Sequence, residues 1–156
     1  MDATSVEALR QTMRLEEPAS APRPAAAISV VIVDDNPDDV DVLQAIVEAA
    51  LPGASIRTFA SGIQALVAIG QSPPRIFITD IMLPHLDGVE VLNQLASQCD
   101  VRPELVLAVS SRFDSAGRSK DDIPEGVHFF PKPVDSRSMV TLLKAVFPRA
   151  PSLSKT

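Results

Sequence analysis

The chain has 156 residues, of which 46% are hydrophobic, and a formal net charge of −6 at pH 7. This length suits one domain with a tail, and the apolar content is enough for an ordinary core. No basic run offers the positive face that displaces phosphate counterions, so direct binding to nucleic acid is not expected.

The apolar stretches are all shorter than the roughly 18 residues that a membrane-spanning helix needs. The start of the chain lacks the basic and apolar regions of a secretory signal. A single cysteine, Cys99, excludes an internal disulfide, and such sparse cysteine usage is typical of a reducing compartment. We therefore expect a cytoplasmic protein without membrane insertion.

Residues 1–27 differ in composition from the rest of the chain. A short segment with capping-box spacing is followed by a stretch rich in Pro and Ala, residues 18–27. We interpret residues 1–27 as an N-terminal extension with a flexible linker; a helix that docks on the domain or on a second copy is the alternative. The folded domain is expected over residues 28–148, with a C-terminal tail over residues 149–156.

From Ile28 onward, strand and helix patterns alternate, which indicates βαβ units and a doubly wound parallel sheet. The strands are expected to be apolar on both sides because helices cover both faces of such a sheet. Asn36 can cap the first helix, with Pro37 at its first position, and Ser61 and Asp135 can cap two others. The five predicted strands occupy residues 30–33, 56–59, 76–79, 105–109 and 127–130.

One connection departs from this pattern. Between Ser110 and Val127, where a fourth helix is needed, the chain contains two glycines, one proline and no apolar stripe. Helix propensity over this segment is poor. We therefore expect the fourth helix to be short or irregular.

Polar side chains follow the predicted strands at their carboxyl ends. Asp34 and Asp35 follow the first strand, Asp80 the third and Ser110 the fourth, while Lys132 comes shortly after the fifth. In open parallel sheets these ends form the edge at which ligands bind. Three carboxylates at one edge repel each other unless a cation lies between them, and Mg²⁺ is a cation that prefers such oxygen ligands.

The loop that begins at Asp80 reads DIMLPHLDG and ends at Gly88. With the acidic pair, Ser110 and the Lys132-Pro133 pair in register, it closely resembles the receiver domain of two-component response regulators. The resemblance covers roughly Ser29 to Phe147. It implies a flavodoxin-like fold of the receiver type.

The resemblance also implies the roles of the site residues. Asp80 would accept a phosphoryl group, Lys132 would supply a cation for a phosphoryl oxygen, and Ser110 would donate a hydrogen bond to the product. Asp35 would bind Mg²⁺ directly, and Asp34 mainly through water.

Further implied features concern the metal, one peptide bond and the switch. Asp80 and the backbone carbonyl of Met82 would complete the protein ligands of Mg²⁺. The Lys132-Pro133 peptide bond would be cis. The conformational change on phosphorylation, here called the switch, would couple Ser110 to Phe129, an aromatic residue in the last strand. His128, in the same strand, is expected to pack rather than to bind a ligand.

These expectations combine into one function. With no further domain expected after Thr156, we interpret the chain as a single-domain response regulator and not as a conventional enzyme. Its partners would be a sensor histidine kinase or a histidine phosphotransfer protein and a downstream protein target, and a homodimer is left open. The alternatives are a phosphorelay intermediate that passes the group to a histidine phosphotransfer protein, and an interaction module that works without phosphorylation.

Overall fold

The computed structural model describes residues 28–84, 88–97, 102–110 and 123–148. The strands are β1 (Ser29–Val33), β2 (Ser55–Phe59), β3 (Ile76–Asp80), β4 (Leu105–Ser110) and β5 (His128–Pro131), and the helices of these ranges are α1 (Pro37–Ala50), α2 (Gly62–Gln71), α3 (Gly88–Ala96) and α4 (Ser136–Val146). Within these ranges, no helix has the length and apolar content that crossing a membrane requires.

The five strands form one sheet in the order β2-β1-β3-β4-β5, and every neighbouring pair is parallel. The chain winds from β1 to one edge and then from β3 to the other. The winding direction therefore switches between β1 and β3, the point at which open α/β sheets bind ligands. The predicted doubly wound, five-stranded parallel sheet is confirmed.

Side-chain alternation divides the core between the two faces of the sheet. On β1, Val30 and Ile32 face α1 and α4, whereas Val31 and Val33 face α2 and α3. All five residues of β3 are buried. Each large apolar side chain fully buried in this way contributes roughly 1.5–3 kcal/mol to stability, so the central strands form the rigid support of the sheet edge.

Three helices begin at the predicted caps. Asn36 Oδ1 accepts the N–H of Asp38 at 2.9 Å, and Pro37 is the first residue of α1. Ser61 Oγ accepts the N–H of Gln64 at 3.3 Å, and Asp135 caps α4 in the same manner. Such caps satisfy backbone donors that have no partner within the helix, so they fix where each helix leaves the sheet edge.

The structure corrects two expectations about the edge strands. β2 and β5 are partly exposed rather than apolar and buried on both faces, because each pairs with only one neighbour in the sheet. His128 is exposed and does not pack in the core. The predicted fourth helix, the N-terminal extension and the C-terminal tail lie outside the described residues.

Arg75 joins three strands at the amino end of the sheet. Its backbone N–H donates to Ser29 O at 2.9 Å, and its carbonyl accepts the N–H of Glu104 at 2.9 Å. The guanidinium group also contacts the Glu104 carboxylate at 2.8 and 3.2 Å and lies 5.0 Å from the centre of the Phe147 ring. These contacts fix the relative register of β1, β3 and β4, and so the alignment of their carboxyl ends.

Candidate functional site

Three acids converge at the switch point between β1 and β3. Asp34 follows β1 and Asp80 is the last residue of β3; both are buried, with 2% and 5% of their surface exposed. Asp35 is exposed. One carboxylate oxygen from each of the three lies within 4.8 Å of the others. The predicted convergence of these acids is confirmed, because neighbouring parallel strands end at the same edge.

Backbone N–H groups orient the two buried acids. Asn36 N–H donates to Asp34 Oδ1 at 3.0 Å, and Met82 N–H donates to Asp80 Oδ1 at 3.0 Å. The first bond belongs to the turn that starts α1, and the second to the loop after β3. In each acid the Oδ2 atom is left facing the centre of the site.

Lys132 fills that centre. Its Nζ atom lies 2.8 Å from Asp34 Oδ2, 2.9 Å from Asp39 Oδ2 and 3.1 Å from Asp80 Oδ2. The Lys132 backbone N–H donates to the carbonyl oxygen of Ser110 at 3.0 Å, which links the lysine to the end of β4. The peptide bond between Lys132 and Pro133 is cis, as the resemblance implied.

Asp39 is a site residue that no motif or spacing in the sequence predicted. It lies in the first turn of α1, where an acid is common because it compensates the helix dipole. Neither spacing nor local pattern distinguishes it from Asp38 beside it. Asp39 differs from Asp38 through its tertiary contact with Lys132, which lies 93 residues further along the chain.

The surroundings of the site raise the pKa values of both Asp80 and Lys132, which disfavours the charged form of Asp80 and favours that of Lys132. Burial raises the pKa of Asp80 to about 6 and the Asp34 charge adds to this, while the Met82 N–H and Lys132 oppose it. Burial tends to lower the pKa of Lys132, but the hydrogen bonds to Asp34 and Asp39 and the charge of Asp80 raise it above its ordinary value. Lys132 is therefore a permanent cation, and an ionised Asp80 is held where its charge is unfavourable.

Gly88 allows the loop after Asp80 to close. Its N–H donates to Ile81 O at 2.8 Å. A Cβ atom on Gly88 would overlap the carbonyl oxygen of Asp80 and stand 2.6 Å from the Cα atom of Ile81. Residues 85–87 lie outside the described ranges, but the ends of the loop show why the motif requires glycine here.

Ser110 and Phe129 lie on one side of the sheet. Ser110 is the last residue of β4 and is 2% exposed. The register pairs Ala108 with Phe129, and strand alternation places Ser110 on the same face as Ala108. Phe129 is half-buried against the core on the α2 and α3 side. The coupling of these two residues stays a prediction, and their placement permits it.

The donor set of the acid cluster fits a hard divalent cation. The three candidate ligands are carboxylates, and Mg²⁺ is usually held by a few carboxylates together with waters and phosphate oxygens. A cation between Asp34, Asp35 and Asp80 would also relieve the mutual repulsion that contributes to the raised pKa of Asp80.

The fold and this site together define a flavodoxin-like α/β protein of the receiver type. A family model described as the response regulator receiver domain matches residues 30–144. The chain belongs to this family, whose members act in two-component signalling.

Similar proteins include full-length regulators and a solved receiver domain. The chain is 29% identical over 127 residues to the response regulator MprA of Mycobacterium bovis, with 79% of this chain and 52% of MprA covered. It is 28% identical over 109 residues to the DNA-binding transcriptional regulator NtrC of Escherichia coli, with 69% of this chain and 23% of NtrC covered. The chain thus spans about half of MprA and a quarter of NtrC.

The receiver domain of the sensor histidine kinase PA1611 from Pseudomonas aeruginosa shares the fold. The structures superpose with a TM-score of 0.64 at 20% identity, covering 76% of this chain and 95% of that domain. The PA1611 domain carries a magnesium ion coordinated in its active site cleft.

Proposed function

We propose that the chain is a response regulator that accepts a phosphoryl group on Asp80. The observation that carries this proposal is the ion pair between Lys132 Nζ and Asp80 Oδ2, at 3.1 Å, inside a cluster of carboxylates that fits a divalent cation. This contact supports the proposal because the proposed nucleophile, a cation and a candidate metal site then lie together at the sheet edge. Phosphoryl transfer requires mainly such positioning and charge stabilisation.

The proposed step is an in-line displacement at phosphorus. A carboxylate oxygen of Asp80 forms a bond to the phosphorus atom while the P–N bond of a phosphohistidine breaks. The electron pair of that bond stays on the imidazole nitrogen, which takes up a proton from solvent. With acetyl phosphate as the donor, a P–O bond breaks instead and acetate leaves. In both cases Asp80 becomes an acyl phosphate.

Lys132 and Ser110 stabilise the transferred group in this proposal. The ammonium group of Lys132 is a compact point charge that already lies beside Asp80, so a phosphoryl oxygen takes the place of the Asp80 oxygen as its acceptor. The hydroxyl of Ser110 donates a hydrogen bond to another phosphoryl oxygen. The preformed contacts of Lys132 support this assignment, because the cation needs little rearrangement.

Mg²⁺ is the cofactor in the proposed function. Asp35, Asp80 and the backbone carbonyl of Met82 would hold it directly, and Asp34 would act mainly through water. When bound, it neutralises negative charge that develops on the phosphoryl oxygens. The carboxylate cluster supports this role, as does the magnesium ion in the PA1611 receiver domain.

The proposed output is a surface that changes on phosphorylation. When Ser110 moves toward the phosphoryl group, it vacates space that the ring of Phe129 can fill, which is a two-state element biased by one local charge event. Phe129 has no hydroxyl, so this switch works by packing alone. The phosphoryl donor is a sensor histidine kinase or a histidine phosphotransfer protein in the cytoplasm. The changed surface is recognised by a downstream protein target.

Intact-mass measurement tests the proposed function. Incubation with acetyl phosphate and Mg²⁺ is expected to add the mass of one phosphoryl group to the wild-type chain. The Asp80→Asn variant is expected to show no such addition, whereas Asp41→Asn, an exposed acid of α1, is labelled as wild type. Labelling of the Asp80→Asn variant at the wild-type level would overturn the assignment of the acceptor.

A further inference from the structure

Within the described part of the chain, Lys132 is the one site residue that the Asp39 side chain contacts. Its Oδ2 atom lies 2.9 Å from Lys132 Nζ, and its side chain is 35% exposed. It does not belong to the group of acids that could share a metal ion, which consists of Asp34, Asp35 and Asp80. Asp39 therefore reaches the lysine from α1 without being a candidate ligand of the cation.

The three contacts of Lys132 use all of its donors. An ammonium group has three N–H bonds, and the three acceptors are Oδ2 atoms of Asp34, Asp39 and Asp80. Two of these bonds fix the direction of the third, because the three N–H bonds of an ammonium group have a rigid tetrahedral arrangement. The bonds to Asp34 and Asp39 thus direct the remaining N–H at Asp80.

Asp34 and Asp39 differ in whether a bound cation or phosphoryl group would compete with their contact to Lys132. Asp34 lies in the acidic cluster, so a bound cation would compete with Lys132 for its carboxylate, directly or through water. The Asp80 bond is the one exchanged for a phosphoryl oxygen. Asp39 is the acceptor that neither the cation nor the phosphoryl group competes for.

From these contacts we infer that Asp39 is a positioning residue, which holds the Lys132 ammonium group in place during phosphoryl transfer to Asp80. This inference rests on the proposed function. Without Asp39, one N–H of the amine loses its acceptor and the side chain gains freedom to rotate away from the phosphoryl oxygens. The loss is expected in the rate of phosphoryl transfer, because donor binding does not depend on the orientation of this amine alone.

The Asp39→Asn variant separates this role from a general effect of charge. Its matched controls are Asp38→Asn and Asp41→Asn, which remove the same charge from exposed positions of the same helix. Phosphorylation is followed as initial rate against acetyl phosphate concentration in saturating Mg²⁺. We expect the maximal rate of Asp39→Asn to fall by about threefold relative to the controls, since an ion pair with a partly exposed partner typically contributes a factor of this order. The half-saturating donor concentration is expected to stay constant or to fall, because a negative charge has been removed.

Two further variants distinguish positioning from a structural role. Asp39→Glu keeps the carboxylate and is expected to recover part of the maximal rate. Asp39→Ser removes the charge and also shortens the side chain, whereas Asn keeps an amide oxygen that can accept a hydrogen bond. Asp39→Ser is therefore expected to show at least the loss of Asp39→Asn, and it serves as the second test if the Asn variant does not fold.

A double-mutant cycle with Lys132→Met completes the test. If Asp39 acts through Lys132, Asp39→Asn is expected to have no further effect on the slow labelling of the Lys132→Met variant. A threefold loss that persists in this background, or a maximal rate of Asp39→Asn equal to that of Asp38→Asn, would overturn the inference while leaving Asp80 as the acceptor. Absence of labelling in the wild-type chain would overturn the proposed function and the inference together.

Discussion

Gly88 lies directly against the backbone of Asp80, so that a Cβ atom at position 88 would overlap the carbonyl oxygen of Asp80. The first residue of α3 and the last residue of β3 therefore approach as closely as the backbone allows. This contact places the candidate acceptor on a rigid support, because Gly88 also donates its N–H to Ile81.

Substitution of Gly88 by alanine is expected to destabilise the fold. The neighbouring atoms belong to the backbone of Asp80 and Ile81 and cannot yield as a side chain would. Overpacking of this kind typically lowers the free energy of unfolding by about 1–3 kcal/mol. Urea denaturation checks the value.

Two other glycines provide controls for this measurement. A Cβ atom at Gly70, near the end of α2, would meet no atom within 4 Å, so Gly70→Ala is expected to raise stability by up to about 0.5–1 kcal/mol. Gly126 has equally free space but a φ of +91°, and Gly126→Ala is expected to lose roughly 1–2 kcal/mol. Equal stability of the Gly88 and Gly70 variants would contradict the close contact at Asp80.

Replacement of Asp80 by asparagine is expected to stabilise the chain in the absence of divalent cations. Burial raises the pKa of Asp80 to about 6 from an ordinary value of 3.8. Between pH 3.8 and about pH 6, this carboxyl is protonated to a greater extent in the folded state than in the unfolded state. The stability that it contributes therefore falls as pH rises through this range. Above pH 6 the ionised carboxylate costs the fold about 2–3 kcal/mol, at roughly 1.4 kcal/mol per pKa unit.

The pH profile of the stability difference checks this prediction. The advantage of Asp80→Asn over wild type is expected to be small near pH 4, to grow up to about pH 6, and to stay constant above it. Comparing the two chains at each pH cancels the contributions of titrating groups that do not interact with Asp80. An advantage that is independent of pH would contradict the raised pKa.

Mg²⁺ is expected to raise the melting temperature of the wild-type chain without any phosphoryl donor. A ligand that binds only the folded state stabilises it by mass action, by about 2.7 kcal/mol at a concentration one hundred times Kd. The Asp35→Asn variant is expected to lose most of this response, whereas Asp38→Asn, with the same change of charge, keeps it. A wild-type melting temperature that ignores millimolar Mg²⁺ would argue against the metal site.

Binding of a phosphoryl mimic is expected to change the environment of the Phe129 ring. The chain contains six phenylalanines, so fluorophenylalanine labelling gives few ¹⁹F resonances, and the Phe129→Leu variant assigns the relevant one. Beryllofluoride with Mg²⁺ should shift this resonance in the wild-type chain. In Ser110→Ala the shift should be largely lost, since no hydroxyl moves toward the mimic. A full shift in that variant would show that Ser110 does not drive the ring.

The pattern of apolar and polar residues was sufficient to predict the sheet and the main members of the site. Apolar runs predicted each strand, and the polar residue at the end of each run predicted where Asp34, Asp80 and Ser110 would lie. This inference works because the carboxyl ends of parallel strands meet at one edge. The caps at Asn36, Ser61 and Asp135 were equally predictable, because a cap depends on residues within one turn of the helix.

The pairing of those residues could not be predicted in the same way, because it depends on how distant elements pack. Lys132 lies 98 residues from Asp34 and 93 from Asp39, and nothing in the local sequence indicates that Lys132 contacts Asp39 rather than Asp38. The same holds for the depth of Asp80, which raises its pKa, and for the contact of Gly88 with the strand before it. Pairing, burial and close approach depend on packing between elements distant in the chain, whereas patterns in the sequence report only the local preferences of each element.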